Sequence, residues 1–103
     1  MNKFLVERQG AKIKVILGAE LIVAVVPELR ELLCAIQDDG VTDLVLDLSQ
    51  TSYLDTAGLS LLLAARNSFG TGDKSMKLTG VQPSLFELLK TLRLEQRLNA
   101  EME

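Results

Sequence analysis

Between an apolar run ending at Leu48 and a leucine-rich segment from Leu59 stands the tetrad Asp55-Thr56-Ala57-Gly58. A carboxylate, a hydroxyl and a glycine at a strand-to-helix junction can do two kinds of chemistry. Asp55 or Thr56 can cap the helix, its side-chain oxygen accepting from an amide two or three residues on, at about 1 kcal/mol. The same hydroxyl, carried out of the core on the first helical turn, can accept a phosphoryl group. A phosphate there would meet the positive end of the helix dipole. It would add roughly −1.5 to −2 charges. The fold would survive and an interface at that spot would not, which suits a switch acting on binding. Ala57 and Gly58 read as leaving room around the hydroxyl for another protein's surface.

Other chemistries have less to stand on. The chain has no histidine and one cysteine, Cys34, so the usual Cys/His zinc sites and His-based triads are excluded. Cys34 has no evident basic neighbour to lower its pKa and reads as a half-buried structural thiol. Asp38-Asp39 and Glu101/Glu103 read as solvated charge rather than metal ligands. Asp47 and Asp55 make an imaginable acid pair, yet no third group or cofactor motif accompanies them. The expectation is a protein with no catalytic residue, metal or cofactor. Lys and Arg number 11 against 14 Asp and Glu, and no basic run occurs, so nucleic-acid binding has little support. Lys77 and Lys90 read as surface residues.

The elements that must position the tetrad follow from periodicity. Phe4 to Val6 and Ile13 to Leu17 read as strands joined by a tight turn at Gln9-Gly10. Ile13, Val15 and Leu17 alternate with Lys12, Lys14 and Ile16. Pro27 suits a first helical turn, and Leu29, Leu32, Leu33 and Ile36 follow at helical spacing up to a stop at Gly40. Leu44 to Leu48 is a near-continuous apolar strand, expected to be buried on both faces under helices. A turn over Ser49 to Leu54 leads to a second helix through Leu59, Leu62, Leu63, Arg66 and Phe69. Gly70-Thr71-Gly72 reads as a turn, with no lysine at phosphate-loop spacing. Met76 and Leu78 make a short strand, and Gln82-Pro83-Ser84 opens a third helix with Leu85, Leu89 and Leu92 on one stripe. The polar end, Glu95 to Glu103, reads as a last helical turn fraying into a tail. The order predicts one α/β domain over residues 1–103, with an N-terminal hairpin, crossover helices and a mixed sheet of four to five strands.

These residues carry a resemblance. Asp47-Leu48-Ser49 ends a strand, and Leu54-Asp55-Thr56-Ala57-Gly58-Leu59 opens a leucine-rich helix, as in the STAS domain family (sulfate transporter and anti-sigma factor antagonist). Met76 to Leu98 resembles the family's later strand, its Pro-started helix and its close. The resemblance covers essentially the whole chain and implies a STAS-like fold. In bacterial anti-sigma factor antagonists of that family, the hydroxyl residue after the motif Asp is phosphorylated by an anti-sigma factor that is a serine kinase. Carried over, Thr56 is the phosphoacceptor, and Asp55, Thr56, Ala57, Gly58 and Leu59 form the partner-binding stretch. A second branch fits too: small STAS subunits of bacterial lipid-transport ABC complexes, in which the equivalent of Thr56 contacts the ATPase subunit.

Two features depart from the antagonist pattern. The acceptor is Thr rather than Ser. Many antagonists also carry Gly-Glu-Leu-Asp after the second strand, where this chain has Gly18, Glu20, Leu21 and then Ile22, with no Ser or Thr cap before Pro27. The run Leu21 to Val26 reads as core or as a greasy contact surface, core being the simpler reading because exposed patches invite aggregation. No signal peptide or membrane span is evident. The expected setting is therefore cytoplasmic, with no membrane insertion.

Overall fold

The computed structural model describes residues 4–69 and 72–102. β1 (Phe4–Gln9) and β2 (Lys12–Leu17) form the expected hairpin, antiparallel, with Gln9 opposite Lys12 across a turn at Gly10. β4 (Asp43–Asp47) lies parallel to β2 on one side and to β6 (Ser75–Val81) on the other. With β7 (Ala100–Met102) at the far edge, the sheet order is β1-β2-β4-β6-β7. Each step from β2 onward crosses through a helix: α1 (Val26–Asp38), α2 (Thr56–Phe69) and α3 (Pro83–Thr91). The crossovers advance in one direction, so their right-handedness puts all three helices on one face.

Burial divides along that line. Ile13, Leu44 and Met76 lie in one row across the strands, and Val15, Leu46 and Leu78 in the next. All are buried under Leu29, Leu33, Leu62, Phe69 and Leu89 of the helices. The opposite face carries Lys12, Lys14, Asp43, Asp47, Ser75 and Lys77. β4 was expected to lie under helices on both faces, and the structure corrects this. Val45 is buried on the helix-free side, but between Lys14 and Lys77, its register partners, whose alkyl stems are what that face offers as cover. The lysine heads stay outward, Lys14 toward Asp47 (3.4 Å) and Lys77 toward Glu101 (3.7 Å).

Several local expectations are revised. The C-terminal segment is not a frayed helix: after a run of turns, β7 (Ala100–Met102) pairs parallel with β6, and Leu98 is fully buried. α3 ends at Thr91, which leaves Leu92 46% exposed, off the stripe formed by Leu85 and Leu89. Cys34 is exposed on α1 rather than half-buried. The turn after β4 contains β5 (Tyr53–Leu54), which pairs parallel with β3 (Glu20–Leu21) in a separate two-stranded sheet. At the end of α1 the acidic pair is answered by Arg8, which binds the Asp39 carboxylate, and Gly40 closes the helix as expected. Of the Gly70-Thr71-Gly72 turn, Gly70 and Thr71 lie outside the described residues; so does Glu103.

Candidate functional site

The tetrad sits past the C-terminal end of β4, the side of an open α/β sheet at which ligands bind. β4 is brought to a stop by its own last residue. The Asp47 carboxylate accepts from the Ser49 amide (2.8 Å) and lies against Lys14. Burial pushes the Asp47 carboxyl upward, but the Ser49 amide and hydroxyl and the Lys14 ammonium together outweigh it and hold the group below the usual range. Gly80 of β6 packs over this turn at φ +64°, in the left-handed region, where a Cβ would lie 2.9 Å from that of Ser49. The chain then descends through Thr51, buried, whose hydroxyl donates to the Gly18 carbonyl (2.7 Å). Tyr53–Leu54 adds to β3, and Asp55 ends the extended run.

Asp55 is the cap, and Thr56 is not. One Asp55 oxygen accepts from the Gly58 amide (2.8 Å), three residues on, at the N-cap position. The other accepts from the Val23 amide (2.9 Å) in the turn before α1, while the Asp55 amide donates to the Leu21 carbonyl (3.2 Å). One carboxylate thus joins the start of α2 to the chain entering α1. The amides of Gly58 and then Val23 hold its pKa below the ordinary carboxylate value.

Thr56 is the first residue of α2 and is exposed, as expected for a side chain carried out on the first turn. The rest of the tetrad faces differently from the open surround that its small residues suggested. Gly58 is buried, and a Cβ there would meet the Leu21 carbonyl oxygen at 2.2 Å. Its smallness serves the approach of α2 to β3 rather than clearance for a partner. Ala57 and Leu59 are half-buried against the core. Of the stretch Asp55 to Leu59, Thr56 is the residue presented outward.

Sequence reasoning missed the neighbours. Val23 is 64% exposed and Tyr53 55% exposed, and both flank the Asp55 junction. The run Leu21 to Val26 is core and surface in alternation: Leu21, Val25 and Val26 are buried, Val23 and Ala24 are not. Its turn geometry, with Val25 donating to the Ile22 carbonyl, decides which is which, and hydrophobicity alone could not. Ile22 is half-buried, and Val25, the N-cap of α1, makes no side-chain cap. Beside this turn lies an apolar groove of about 610 Å³, lined by Phe4, Leu5, Ile16, Leu17, Ile22 and Val25 among others. Thr56 does not line it. No helix among the described residues is long and apolar enough to cross a membrane.

The model of the family described as "Mlab, STAS domain" matches residues 4–100. The anti-sigma-B factor antagonist of Staphylococcus aureus is 33% identical over 78 residues, covering 76% of this chain and 72% of its own length. That of Staphylococcus epidermidis is 34% identical over 71 residues, covering 69% of this chain and 66% of its own. Among solved structures, an anti-sigma factor antagonist from Mycobacterium paratuberculosis superposes with a TM-score of 0.82 at 22% identity, over 94% of this chain and 82% of that one. The Bacillus cell fate determinant SpoIIAA in its phosphorylated form gives 0.75 at 18% identity, over 97% and 92%. At those identities the structural likeness speaks to the fold, which is that of a mixed five-stranded sheet with three helices.

Proposed function

The chain belongs to the STAS domain family, and from that premise we propose that it works as a cytoplasmic anti-sigma factor antagonist whose binding is switched at Thr56. Its partner is an anti-sigma factor that is also a serine/threonine kinase. Unmodified, the surface around Thr56 engages that partner. The kinase then transfers the γ-phosphoryl group of ATP to the Thr56 oxygen: the new O–P bond forms, the bond to ADP breaks, and the hydroxyl proton leaves. The base that takes this proton is assigned to the kinase, because the Gly58 and Val23 amides bound to Asp55 make its carboxylate a weaker base than usual. The phosphate repels the partner while the fold accepts it. No catalysis is assigned to this chain.

The observation that carries this reading is the division of labour at the start of α2. Asp55 caps, so the exposed Thr56 hydroxyl is free of structural duty there. The sequence relatives named anti-sigma-B factor antagonist support the partner class. SpoIIAA, a protein of the same fold, exists in phosphorylated and unphosphorylated forms, in keeping with a fold that carries the added charge.

The test compares wild type, Thr56→Ala and Thr56→Glu with the cognate kinase. Intact mass should rise by one phosphate on wild type and not on Thr56→Ala. Thr56→Glu should lose kinase binding at least tenfold, with a melting temperature within about 2 °C of wild type, since an exposed first-turn acid favours the helix dipole. Equal binding by Thr56→Glu and wild type rejects the switch. A second reading is retained because the matching family description, Mlab, does not name anti-sigma antagonism. In it, Thr56 acts unmodified as the contact to the ATPase subunit of a lipid-transport ABC complex. Pull-down of that subunit, with no phosphate acquired, would select it.

A further inference from the structure

Two stretches far apart in the chain deliver exposed apolar side chains to one place beside Thr56. β5 pairs with β3 so that Tyr53 lies opposite Glu20 and Leu54 opposite Leu21. Leu21 and Leu54 are buried by this arrangement, and Tyr53 is left outward. Val23, two residues past Leu21, is held by the Asp55 carboxylate, which accepts from its amide (2.9 Å). Its side chain is left outward as well. Single exposed apolar residues are ordinary on a protein surface. A pair drawn from separate stretches and gathered at one carboxylate is less so, because the bond to Asp55 fixes a valine in water, uncovered by the described residues.

Distance decides whether a partner of Thr56 could avoid this pair. A standard interface takes about 800 Å² of each protein, a patch of radius about 16 Å. Tyr53 stands three residues before Thr56, so the backbone keeps it within about 11 Å. Val23 is bonded to the residue immediately before Thr56. A patch of standard size centred on Thr56 therefore contains both. Interface cores are poor in charge and rich in aromatic residues. The centre of this patch fits that composition: Tyr53, Val23, Thr56 and a carboxylate already engaged by the Gly58 and Val23 amides. Glu20, exposed across from Tyr53, belongs to the polar rim.

We propose that Val23 and Tyr53 are the apolar anchors by which the anti-sigma factor kinase grips the unmodified chain, and that the kinase meets them with an apolar surface beside the groups that reach Thr56. The inference rests on the reading of Thr56 as the switched contact, and adds to it how the switch works. To keep both anchors covered, a phosphate on Thr56 would have to leave water. Burying an unpaired charge costs more than covering two apolar side chains returns. The kinase then needs no acidic group of its own to let go.

The test is steady-state phosphorylation of Thr56 by the purified cognate kinase and ATP, with the concentration of this chain varied. Val23→Ser and Tyr53→Ser should each raise KM more than about fivefold. They should leave kcat within about twofold, because a contact made equally in the ground and transition states is lost from binding alone. Leu92→Ser is the control. Leu92 is also exposed, but β6 and β7 are parallel, so α3 runs back between them and ends at the opposite end of the sheet from Thr56. It should change neither constant. All three side chains are exposed, so melting temperatures should stay within about 2 °C of wild type. A KM indifferent to both anchor substitutions overturns the inference, as does a loss confined to kcat, or a Leu92→Ser chain impaired as much as the anchors. Those outcomes leave the switch at Thr56 standing. A wild-type chain that takes no phosphate at Thr56 overturns the switch, and the inference with it.

Discussion

A Cβ placed on Gly58 would stand 2.2 Å from the Leu21 carbonyl oxygen, a backbone atom that cannot swing away. Alanine is the better helix former by about 1 kcal/mol, but overpacking costs about 1–3 kcal/mol. Because the clash is with backbone, the second effect wins. Gly58→Ala is expected to lose about 1–2 kcal/mol, read as a lower urea midpoint with an unchanged slope. The neighbouring Thr56→Glu should leave the same midpoint almost where it was, since Thr56 is exposed. Two members of one tetrad, a single residue apart, therefore differ in kind, and their order in the sequence did not reveal it. The tetrad announced a helix start and a hydroxyl. It did not say that the glycine looks inward, because that depends on how closely β3 passes, and β3 lies far back in the chain.

At the scale of elements, legibility followed burial on a regular period. The β1–β2 hairpin, the Leu44 to Leu48 strand and the three helices were all visible, because each repeats apolar residues at a spacing that a core enforces. β3 and β5 were not, since two residues cannot display an alternation. β7 was missed for another reason. Ala100–Met102 has little apolar character of its own and is strand because β6 offers a free edge, with a register irregularity between Leu78 and Val81. Leu98 anchors the segment, and its amide donates to the Leu94 carbonyl (2.9 Å). Were the C-terminal stretch a frayed tail, Leu98→Ala would be silent. Fully buried as it is, its truncation is expected to cost about 2–5 kcal/mol by thermal or chemical unfolding.

For the whole molecule, a sheet with helices on one face leaves its charged side to water, and acid is the natural probe of it. Asp47 and Asp55 both have folded pKa values below their ordinary ones. A depressed carboxyl contributes stability that is fully present above its unfolded pKa, about 3.9, and is lost as pH falls through the folded value. Stability should thus be flat from neutral pH down to about pH 5 and fall below it. Asp55→Asn, which keeps a capping oxygen without the charge, should flatten part of that fall in acid unfolding curves. The grip of Asp55 on two remote stretches has a spectroscopic corollary. The amide of Val23, in the turn entering one helix, and the amide of Gly58, inside another, hang on opposite oxygens of the same carboxyl group. Their nitrogen resonances should move together on acidification, with one shared midpoint: a single proton read out at two distant addresses in the chain.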